Sequence, residues 1–351
     1  MKAFEKNIRK VEPYVPGEQP QHKVIKLNTN ENPYPPAPGV TKVLENLDTD
    51  RLRLYPDPTC KMLVEELADF YGVNADQVFV GVGSDDVLAM CFLTFFNSEK
   101  PIFFPDITYS FYKVWAELYR IPYECQKLDE NFRLVKEDYF KENGGIIFPN
   151  PNAPTSLYEE LDVVEEIIAK NPDVIVIIDE AYIDFAGASA LELIDKYDNL
   201  VVVQTFSKAR SMAGMRIGYA ISNPTLIKYL NDAKYSFNSY TMNQTSLICG
   251  VEAVKDRQYF EETVAKIIET RDWAIEELRR LGFECLDSSA NFIFAKHPQC
   301  DAKELFKALK ENDIFVRFWG SKRIEQYMRI SVGTREEMES LLAFLKKHMD
   351  K

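Results

Sequence analysis

Residues 205–218, TFSKARSMAGMRIG, combine an amine, a hydroxyl and a guanidinium in one short segment. Lys208 directly follows Ser207, and Arg216 lies eight positions further on, in a turn flanked by glycines. An amine can form a Schiff base with an aldehyde, while a hydroxyl and a guanidinium can bind a phosphate group. The segment therefore indicates a site for a phosphorylated aldehyde, although a Ser-Lys pair and a lone arginine also occur on ordinary protein surfaces.

A second candidate is the turn at 81–86, GVGSDD, which follows an apolar strand and begins a helix. Backbone N–H groups at a helix N-terminus bind phosphate, and small residues allow the ligand to approach closely. The alternative is an ordinary helix start with Ser84 as its N-cap.

A third candidate is Asp179, which ends the apolar run 174–178 and is followed three residues later by Tyr182. A buried carboxylate is costly unless a cation lies beside it, and the protonated ring nitrogen of a ligand would be such a cation. Asp179 precedes Lys208 by 29 residues, which suits the ends of two adjacent strands. The alternative is a helix-capping aspartate beside a core tyrosine.

The elements that position these groups alternate between short apolar strands and amphipathic helices. Strands that are apolar throughout and separated by helices predict a parallel sheet covered on both faces, with ligands at the carboxyl ends of the strands. The predicted strands are 77–82, 102–104, 145–148, 174–178 and 200–204, and the predicted helices are 61–71, 84–96, 109–119 and 159–170.

The two ends of the chain follow other patterns. Proline is dense in the first 60 residues, which predicts an extended arm. A long charged helix over 260–281 precedes shorter elements that are typical of a smaller α+β domain, at 292–295, 302–312, 314–318, 328–332 and 336–346. We predict an arm at 1–40 that packs on the small domain and a partner subunit, a large domain at 41–255 and a small domain at 256–351.

The composition excludes several classes of partner. A net charge of −13 and a pI of about 5.0 repel nucleic acid and anionic membranes. The longest apolar run, 87–96, is too short to span a bilayer, and the first ten residues lack the apolar segment of a secretory signal. Three scattered histidines and six cysteines without CxxC pairs predict no metal site, no disulfides and a cytoplasmic enzyme.

Together these motifs resemble the fold-type I aminotransferases of classes I and II, which depend on pyridoxal 5′-phosphate (PLP). The resemblance implies an α/β fold: a large domain with a mostly parallel seven-stranded sheet covered by helices, and a smaller α+β domain. It implies that PLP forms a Schiff base with Lys208, and that Asp179 and Tyr182 are also catalytic. Further cofactor contacts are expected from Gly83, Ser84, Asp85, Thr205, Ser207 and Arg216.

Three more cofactor contacts rest on the same resemblance. Tyr109 matches the aromatic ring that stacks on the pyridine. Asn152 lies in PNPNAPTS (149–156), which resembles the Asn-Pro-Thr-Gly turn of the family, although Ala153 stands before the proline and Ser156 replaces the glycine. Tyr55 matches a tyrosine that reaches the phosphate of the neighbouring subunit, which implies a homodimer with shared active sites.

Within the family, the details are most similar to the histidinol-phosphate aminotransferases. The similar segments are Pro13-Tyr14, LNTNENPY at 27–34, VR at 316–317 and MRISVGT at 328–334. The resemblance implies ping-pong transamination between L-histidinol phosphate and 2-oxoglutarate, in histidine biosynthesis. It also implies that Arg317 and Arg329 bind the carboxylate of glutamate and the substrate phosphate in turn, with Tyr14 and Asn32 as further substrate contacts.

Other functions share these motifs. An aromatic aminotransferase and a threonine-phosphate decarboxylase are alternatives on the same fold, because residues 236–240, Phe318 and Trp319 are candidates for the side-chain pocket but do not indicate its specificity. A non-catalytic PLP-binding regulator or carrier is a different class. A regulator would need a DNA-binding module, and the sequence contains no evident helix-turn-helix, while its acidic charge opposes DNA binding.

Overall fold

The computed structural model describes residues 2–349, and its strands form one large and two small sheets. The strands are β1 (Ile25–Lys26), β2 (Val78–Gly81), β3 (Ile102–Pro105), β4 (Tyr123–Gln126), β5 (Ile146–Pro149), β6 (Val176–Asp179), β7 (Leu200–Thr205), β8 (Gly218–Ser222), β9 (Glu284–Cys285), β10 (Phe292–Lys296), β11 (Ile314–Phe315), β12 (Arg317–Phe318) and β13 (Met328–Ser331). The large sheet has the order β2-β8-β7-β6-β5-β3-β4, and the smaller ones are β12-β13-β10-β9 and β1-β11.

The helices lie between these strands and at the C-terminus. They are α1 (Pro38–Glu45), α2 (Lys61–Tyr71), α3 (Gly83–Phe95), α4 (Phe111–Tyr119), α5 (Leu161–Ala169), α6 (Pro224–Phe237), α7 (Gln244–Lys255), α8 (Arg257–Arg280), α9 (Ala302–Glu311) and α10 (Arg335–Met349). Within residues 2–349, none of them is both long and apolar enough to cross a membrane.

The large sheet is buried on both faces because successive residues of each apolar strand enter different cores. Ile146, Val176 and Ile178 pack into one cluster, whereas Ile147 and Ile177 pack into the cluster on the opposite face. The β3-β5-β6-β7 pairings are parallel, whereas β8 is antiparallel to both of its neighbours. The predicted mostly parallel, seven-stranded α/β fold is confirmed.

β8 is antiparallel because the chain between it and β7 contains no α-helix. Residues 206–217 form turns and a single 3₁₀ helix, Ala213–Met215, whereas a parallel crossover usually requires a whole α-helix. The connection therefore folds back at the carboxyl end of β7. Residues Ser207 to Arg216 lie in this return, so they remain at the edge of the sheet where ligands bind in open α/β folds.

Several elements differ from the sequence predictions. α3 begins at Gly83 with Val82 as its cap residue, so Ser84 lies inside the first turn and is not the N-cap. The helix predicted from Tyr109 begins at Phe111. β4 was not predicted because it is an edge strand whose residues are mostly exposed or half-buried, which removes the continuous apolar signal.

β8, α6 and α7 were also absent from the prediction. Both helices do begin with a sequence signal, because the side chains of Asn223 and Asn243 accept hydrogen bonds from backbone N–H groups in the first turn.

The N-terminal arm joins the C-terminal part of the chain through backbone hydrogen bonds. β1 pairs in parallel with β11, and the carbonyl of Leu27 accepts a hydrogen bond from the N–H of Ser331. The Leu27 side chain is buried in the core of the C-terminal sheet. This packing brings residues 28–31 to the large sheet, while the division of the chain at residues 40 and 255 stays a prediction.

Gly218 should tolerate no side chain, because β8 lies against the start of α3 there. A Cβ at Gly218 would overlap the carbonyl carbon of Gly83 and the nitrogen of Ser84. We expect Gly218→Ala to lower the free energy of unfolding by about 1–3 kcal/mol, measured by urea denaturation. Gly214→Ala is the matched control, because an added Cβ there meets no atom within 4 Å. It should be neutral or slightly stabilising, and equal losses in both variants would contradict the prediction.

Candidate active site

A cavity of about 760 Å³ opens at the carboxyl edge of the large sheet, and three parts of the chain line it. The arm contributes Tyr14 and residues 28–31, the large sheet contributes the loops after β2, β3, β6 and β7, and the C-terminal sheet contributes β12 and β13. The predicted site residues that line it are Tyr14, Ser84, Asp85, Tyr109, Asp179, Tyr182, Ser207, Lys208, Arg216, Arg317 and Arg329.

Lys208 presents a buried amine to this cavity. Its Nζ donates a hydrogen bond to the carbonyl of Thr29 at 3.2 Å and lies 5.7 Å from the centre of the Tyr182 ring. Burial, followed by the charge of Arg329, lowers the pKa of the amine to about 8. The amine is therefore far more often neutral near neutral pH than an exposed lysine, and only the neutral form attacks a carbonyl carbon.

Asp179 ends β6 with a carboxylate that is 4% exposed. It accepts hydrogen bonds from the hydroxyl of Tyr112 at 2.8 Å and from the N–H of Ala181 at 3.2 Å. Burial nevertheless raises its pKa to about 6. Above that pH the ionised carboxylate destabilises the fold unless a cation lies beside it, so the position suits a protonated ring nitrogen.

The first turn of α3 and the β7–β8 return meet at one end of the cavity. The Arg216 guanidinium donates to Asp85 at 3.2 Å and to the hydroxyl of Ser207 at 3.4 Å, close to the side chain of Ser84. Gly83 has a φ of +82°, and a Cβ there would overlap the guanidinium of Arg216. The result is a concave group of N–H and O–H donors at a helix N-terminus, which suits a phosphate.

Two tyrosines are held by hydrogen bonds at the cavity wall. The Tyr109 hydroxyl donates to Asp85 at 2.7 Å, so the Tyr109 ring is fixed beside the first turn of α3. The Tyr182 hydroxyl accepts from the side-chain amide of Asn30 at 2.9 Å, so its own proton is free to be donated to a ligand.

The cavity wall formed by the C-terminal sheet carries two arginines. Arg317 and Arg329 are directly opposed residues of β12 and β13. Their hydrogen bonds within residues 2–349 go to the backbone carbonyls of Val15, Pro16 and Asn28, and not to carboxylates. Desolvation lowers the pKa of Arg329. Two cations held together in this way favour an anionic ligand group.

Two predicted asparagines have their amides occupied elsewhere. The Asn152 amide nitrogen donates to the carbonyl of Ile107 and to the Thr155 hydroxyl, so neither of its N–H groups remains for a ligand. The Asn32 amide donates to the carbonyls of Lys208 and Ala209. Asn32 therefore fixes the lysine backbone, while the substrate contact of Asn32 and the cofactor contact of Asn152 stay predictions.

Thr205 and Tyr55 lie outside the cavity wall. The Thr205 hydroxyl donates to the hydroxyl of Ser207 at 3.0 Å. Thr205 therefore orients Ser207, which lines the cavity. Tyr55 is 81% exposed and stacks on Tyr240 at 4.6 Å, away from the lysine of its own chain. Its placement leaves it available to a second subunit.

Three functional residues were missed by sequence reasoning. Asn30 holds Tyr182, Tyr112 holds Asp179, and Thr29 accepts a hydrogen bond from Lys208. Asn30 and Thr29 belong to the LNTNENPY segment, whose similarity to the family gave neither residue a role of its own. Tyr112 carries no local signal, because it is a fully buried aromatic residue on an amphipathic helix.

The lowered pKa of Lys208 predicts an unusual pH profile for its reaction with trinitrobenzenesulfonate. Below about pH 8 the amine is protonated and should react slowly, and its rate should reach a plateau above about pH 9. The measurement is peptide mapping of enzyme freed of bound carbonyl compounds by hydroxylamine. Lys228 is the internal control, because its ion pair with Asp232 raises its pKa. Its rate should still rise beyond pH 10, and a shared midpoint would refute the prediction.

Comparisons with known proteins agree with this geometry. The family model of aminotransferase class I and II matches residues 22–345. The histidinol-phosphate aminotransferase of Lactococcus lactis subsp. cremoris is 50% identical over 348 residues, covering 99% of this chain and 98% of its own length. That of Clostridium botulinum (strain Hall) is 49% identical over 353 residues and covers 100% of both chains.

Solved structures have the same fold at low sequence identity. The histidinol-phosphate aminotransferase from Clostridium acetobutylicum aligns with a TM-score of 0.85 at 22% identity, covering 92% of this chain and 98% of that one. The enzyme from Sinorhizobium meliloti, solved in complex with pyridoxal-5′-phosphate, has a TM-score of 0.82 at 23% identity, covering 92% and 90%. The family model and the full-length sequence matches show that the chain belongs to the aminotransferase class I and II family.

Proposed function

We propose that this enzyme is a PLP-dependent aminotransferase that exchanges an amino group between L-histidinol phosphate and 2-oxoglutarate. The observation that carries the proposal is one cavity lined by a low-pKa lysine, a buried aspartate and two arginines that bind backbone carbonyls instead of carboxylates. Near 50% identity to enzymes named histidinol-phosphate aminotransferase supports the choice of substrate. A cytoplasmic location stays a prediction from the sequence.

The described residues fit PLP on two independent grounds. Asp179 is a buried carboxylate with a raised pKa, which a protonated pyridine nitrogen would relieve. Ser84, Ser207 and Arg216 line the same cavity at the start of α3, where Gly83 lets the guanidinium approach the backbone closely, and these donors suit the phosphate. Tyr109 lines the same cavity and would cover the pyridine ring, while Tyr182 would donate to the hydroxyl oxygen of that ring.

The chain's own residues would then bind, orient and move protons. PLP supplies an aldehyde that takes up the amino group and a ring that accepts the electron pair left at the substrate Cα. Lys208 would take the proton from the substrate Cα and deliver it to C4′, the former aldehyde carbon of the cofactor. Its pKa near 8 permits both steps close to neutral pH. Asn32 and Thr29 would hold the lysine for this transfer.

The arginine pair would bind an anionic group of each substrate in turn. Glutamate brings a carboxylate to this place, whereas histidinol phosphate has no carboxylate and brings a phosphate. Guanidiniums bind both groups through paired N–H donors. Tyr14 lies in the same end of the cavity, stacked on Phe111 at 4.2 Å, and would complete the anion site.

A homodimer with shared active sites is the second part of the proposal. Tyr55 lies in a region of exposed apolar residues: Leu52, Leu54, Phe237 and Tyr240 are 57%, 53%, 70% and 46% exposed. Exposed apolar patches of this kind mark protein interfaces. A second subunit would cover this patch, and Tyr55 would reach the phosphate of the PLP bound in that second subunit.

The test of the reaction is a coupled assay of purified enzyme with 2-oxoglutarate, PLP and three donors. We expect L-histidinol phosphate to be used far better than phenylalanine, while threonine phosphate releases no CO₂. Arg317→Ala and Arg329→Ala should each lower kcat/KM for both glutamate and histidinol phosphate by about 10- to 100-fold. Arg280→Ala is the control, since Arg280 is an exposed residue paired with Glu277 on α8.

Each alternative outcome has a definite meaning. Preference for phenylalanine would indicate an aromatic aminotransferase, and CO₂ release without 2-oxoglutarate would indicate a decarboxylase. If the arginine variants lost activity with only one of the two anions, the shared anion site would be wrong.

Shared active sites predict complementation, at low PLP, between two parents that are each impaired there. Tyr55→Phe should weaken PLP binding by about tenfold, and Lys208→Ala should abolish transamination. Mixed dimers of the two should recover activity at low PLP, because one of their sites has both Lys208 and the partner subunit's Tyr55. Tyr109→Phe mixed with Lys208→Ala is the control and should not recover, because Tyr109 lines the same cavity as the lysine of its own chain. Failure of the first mixture would refute the shared site.

A further inference from the structure

The two arginines of the anion site face each other with no local counter-charge. Arg317 and Arg329 are opposed across the β12–β13 pair, where like charges normally destabilise a sheet. Their hydrogen bonds within the described part of the chain reach three backbone carbonyls, and the Nε of Arg329 is buried there without a hydrogen-bond partner. These carbonyls fix the two side chains but carry no full charge, so a further contact is needed to offset the repulsion between the guanidiniums before an anion arrives.

Trp319 occupies the required position. It follows β12 by one residue and lines the cavity. The guanidinium carbon of Arg317 lies over its ring at 5.4 Å from the centroid, and that of Arg329 lies over it at 5.1 Å. Arg329 also lies over Phe292 at 5.3 Å, so one guanidinium contacts two aromatic rings.

We propose that Trp319 is a positioning residue of the anion site, whose ring holds Arg317 and Arg329 as a ready pair of donors for the anionic group of the substrate. The negative face of an indole attracts cations, and tryptophan does so more strongly than the other aromatic residues. One ring shared by two guanidiniums offsets part of their mutual repulsion. The inference rests on the proposed function for the identity of the anion.

The choice of an aromatic ring over an acid has a functional consequence. A carboxylate at this place would engage the N–H forks of the guanidiniums and compete directly with the substrate. A ring instead attracts the face of each guanidinium, while the N–H groups remain in the plane and can point at a phosphate or carboxylate. Trp319 would therefore lower the KM for anionic substrates without taking part in the chemistry at Cα.

The test compares Trp319→Leu with Trp319→Phe in the PLP-bound enzyme, where the cofactor occupies its own phosphate site. The probe is inorganic phosphate, with its Kd measured by calorimetry. We expect the leucine variant to raise this Kd by about tenfold, while the phenylalanine variant, which keeps a π face, stays within about threefold. KM for glutamate and for histidinol phosphate should rise in parallel with little change in kcat, a split that a general loss of structure would not produce.

Trp273→Leu is the matched control, because Trp273 also contacts an arginine, Arg335, but lies outside the cavity. Its phosphate Kd should equal that of the wild type. The inference alone is overturned if the wild type transaminates histidinol phosphate but Trp319→Leu binds phosphate as tightly as the wild type. It is also overturned if Trp319→Phe raises the phosphate Kd as much as Trp319→Leu does. If the wild type neither binds phosphate nor uses histidinol phosphate, the proposed function fails and this inference with it.

Discussion

The site depends on ionisable groups that are largely removed from solvent and that, within residues 2–349, have no opposite charge in contact. Lys208, Asp179 and Arg329 all have pKa values displaced towards their neutral forms, and in each case burial is the largest cause. Such an arrangement costs free energy in the protein alone and is favourable only when a ligand supplies the missing charges. A cationic ring nitrogen and an anionic substrate group would supply them. The same burial that weakens the free protein therefore sets the chemistry and the selectivity of the cavity.

Three segments distant in the sequence must meet to create this burial. The large sheet provides strand ends, the β7–β8 return carries the lysine, and the C-terminal sheet provides the arginines. The arm connects them, because Asn30 bonds to both Tyr182 and Ser331 while Asn32 holds the backbone of Lys208. Displacement of the arm would thus loosen Lys208, Tyr182 and Arg329 together.

Local chemistry was readable from the sequence wherever a residue type and its immediate neighbours define the role. The α2 helix has the predicted bounds, since its apolar spacing is regular and Gly72 ends it with a positive φ. Asp179 and Lys208 could be proposed from the sequence because each lies at or just beyond the end of an apolar strand. Tyr112 was not found, because its bond to Asp179 spans 67 residues of chain and depends on how α4 packs on the sheet. The bond from the Asn152 amide to the carbonyl of Ile107 was likewise not foreseen, because it spans 45 residues and no turn pattern reveals it.

The sequence by itself determined five of the seven strands of the large sheet, the helices between them, the acidic character of the chain and the identities of the groups that can do chemistry. These depend on apolar periodicity and on residue type, which are properties of neighbours in the chain. Only the tertiary structure decided which donors remain free, which charges lose their solvent and which arginines share one tryptophan ring. Those outcomes depend on distances between residues hundreds of positions apart, such as Asn30 and Ser331, because desolvation and hydrogen bonding act through space.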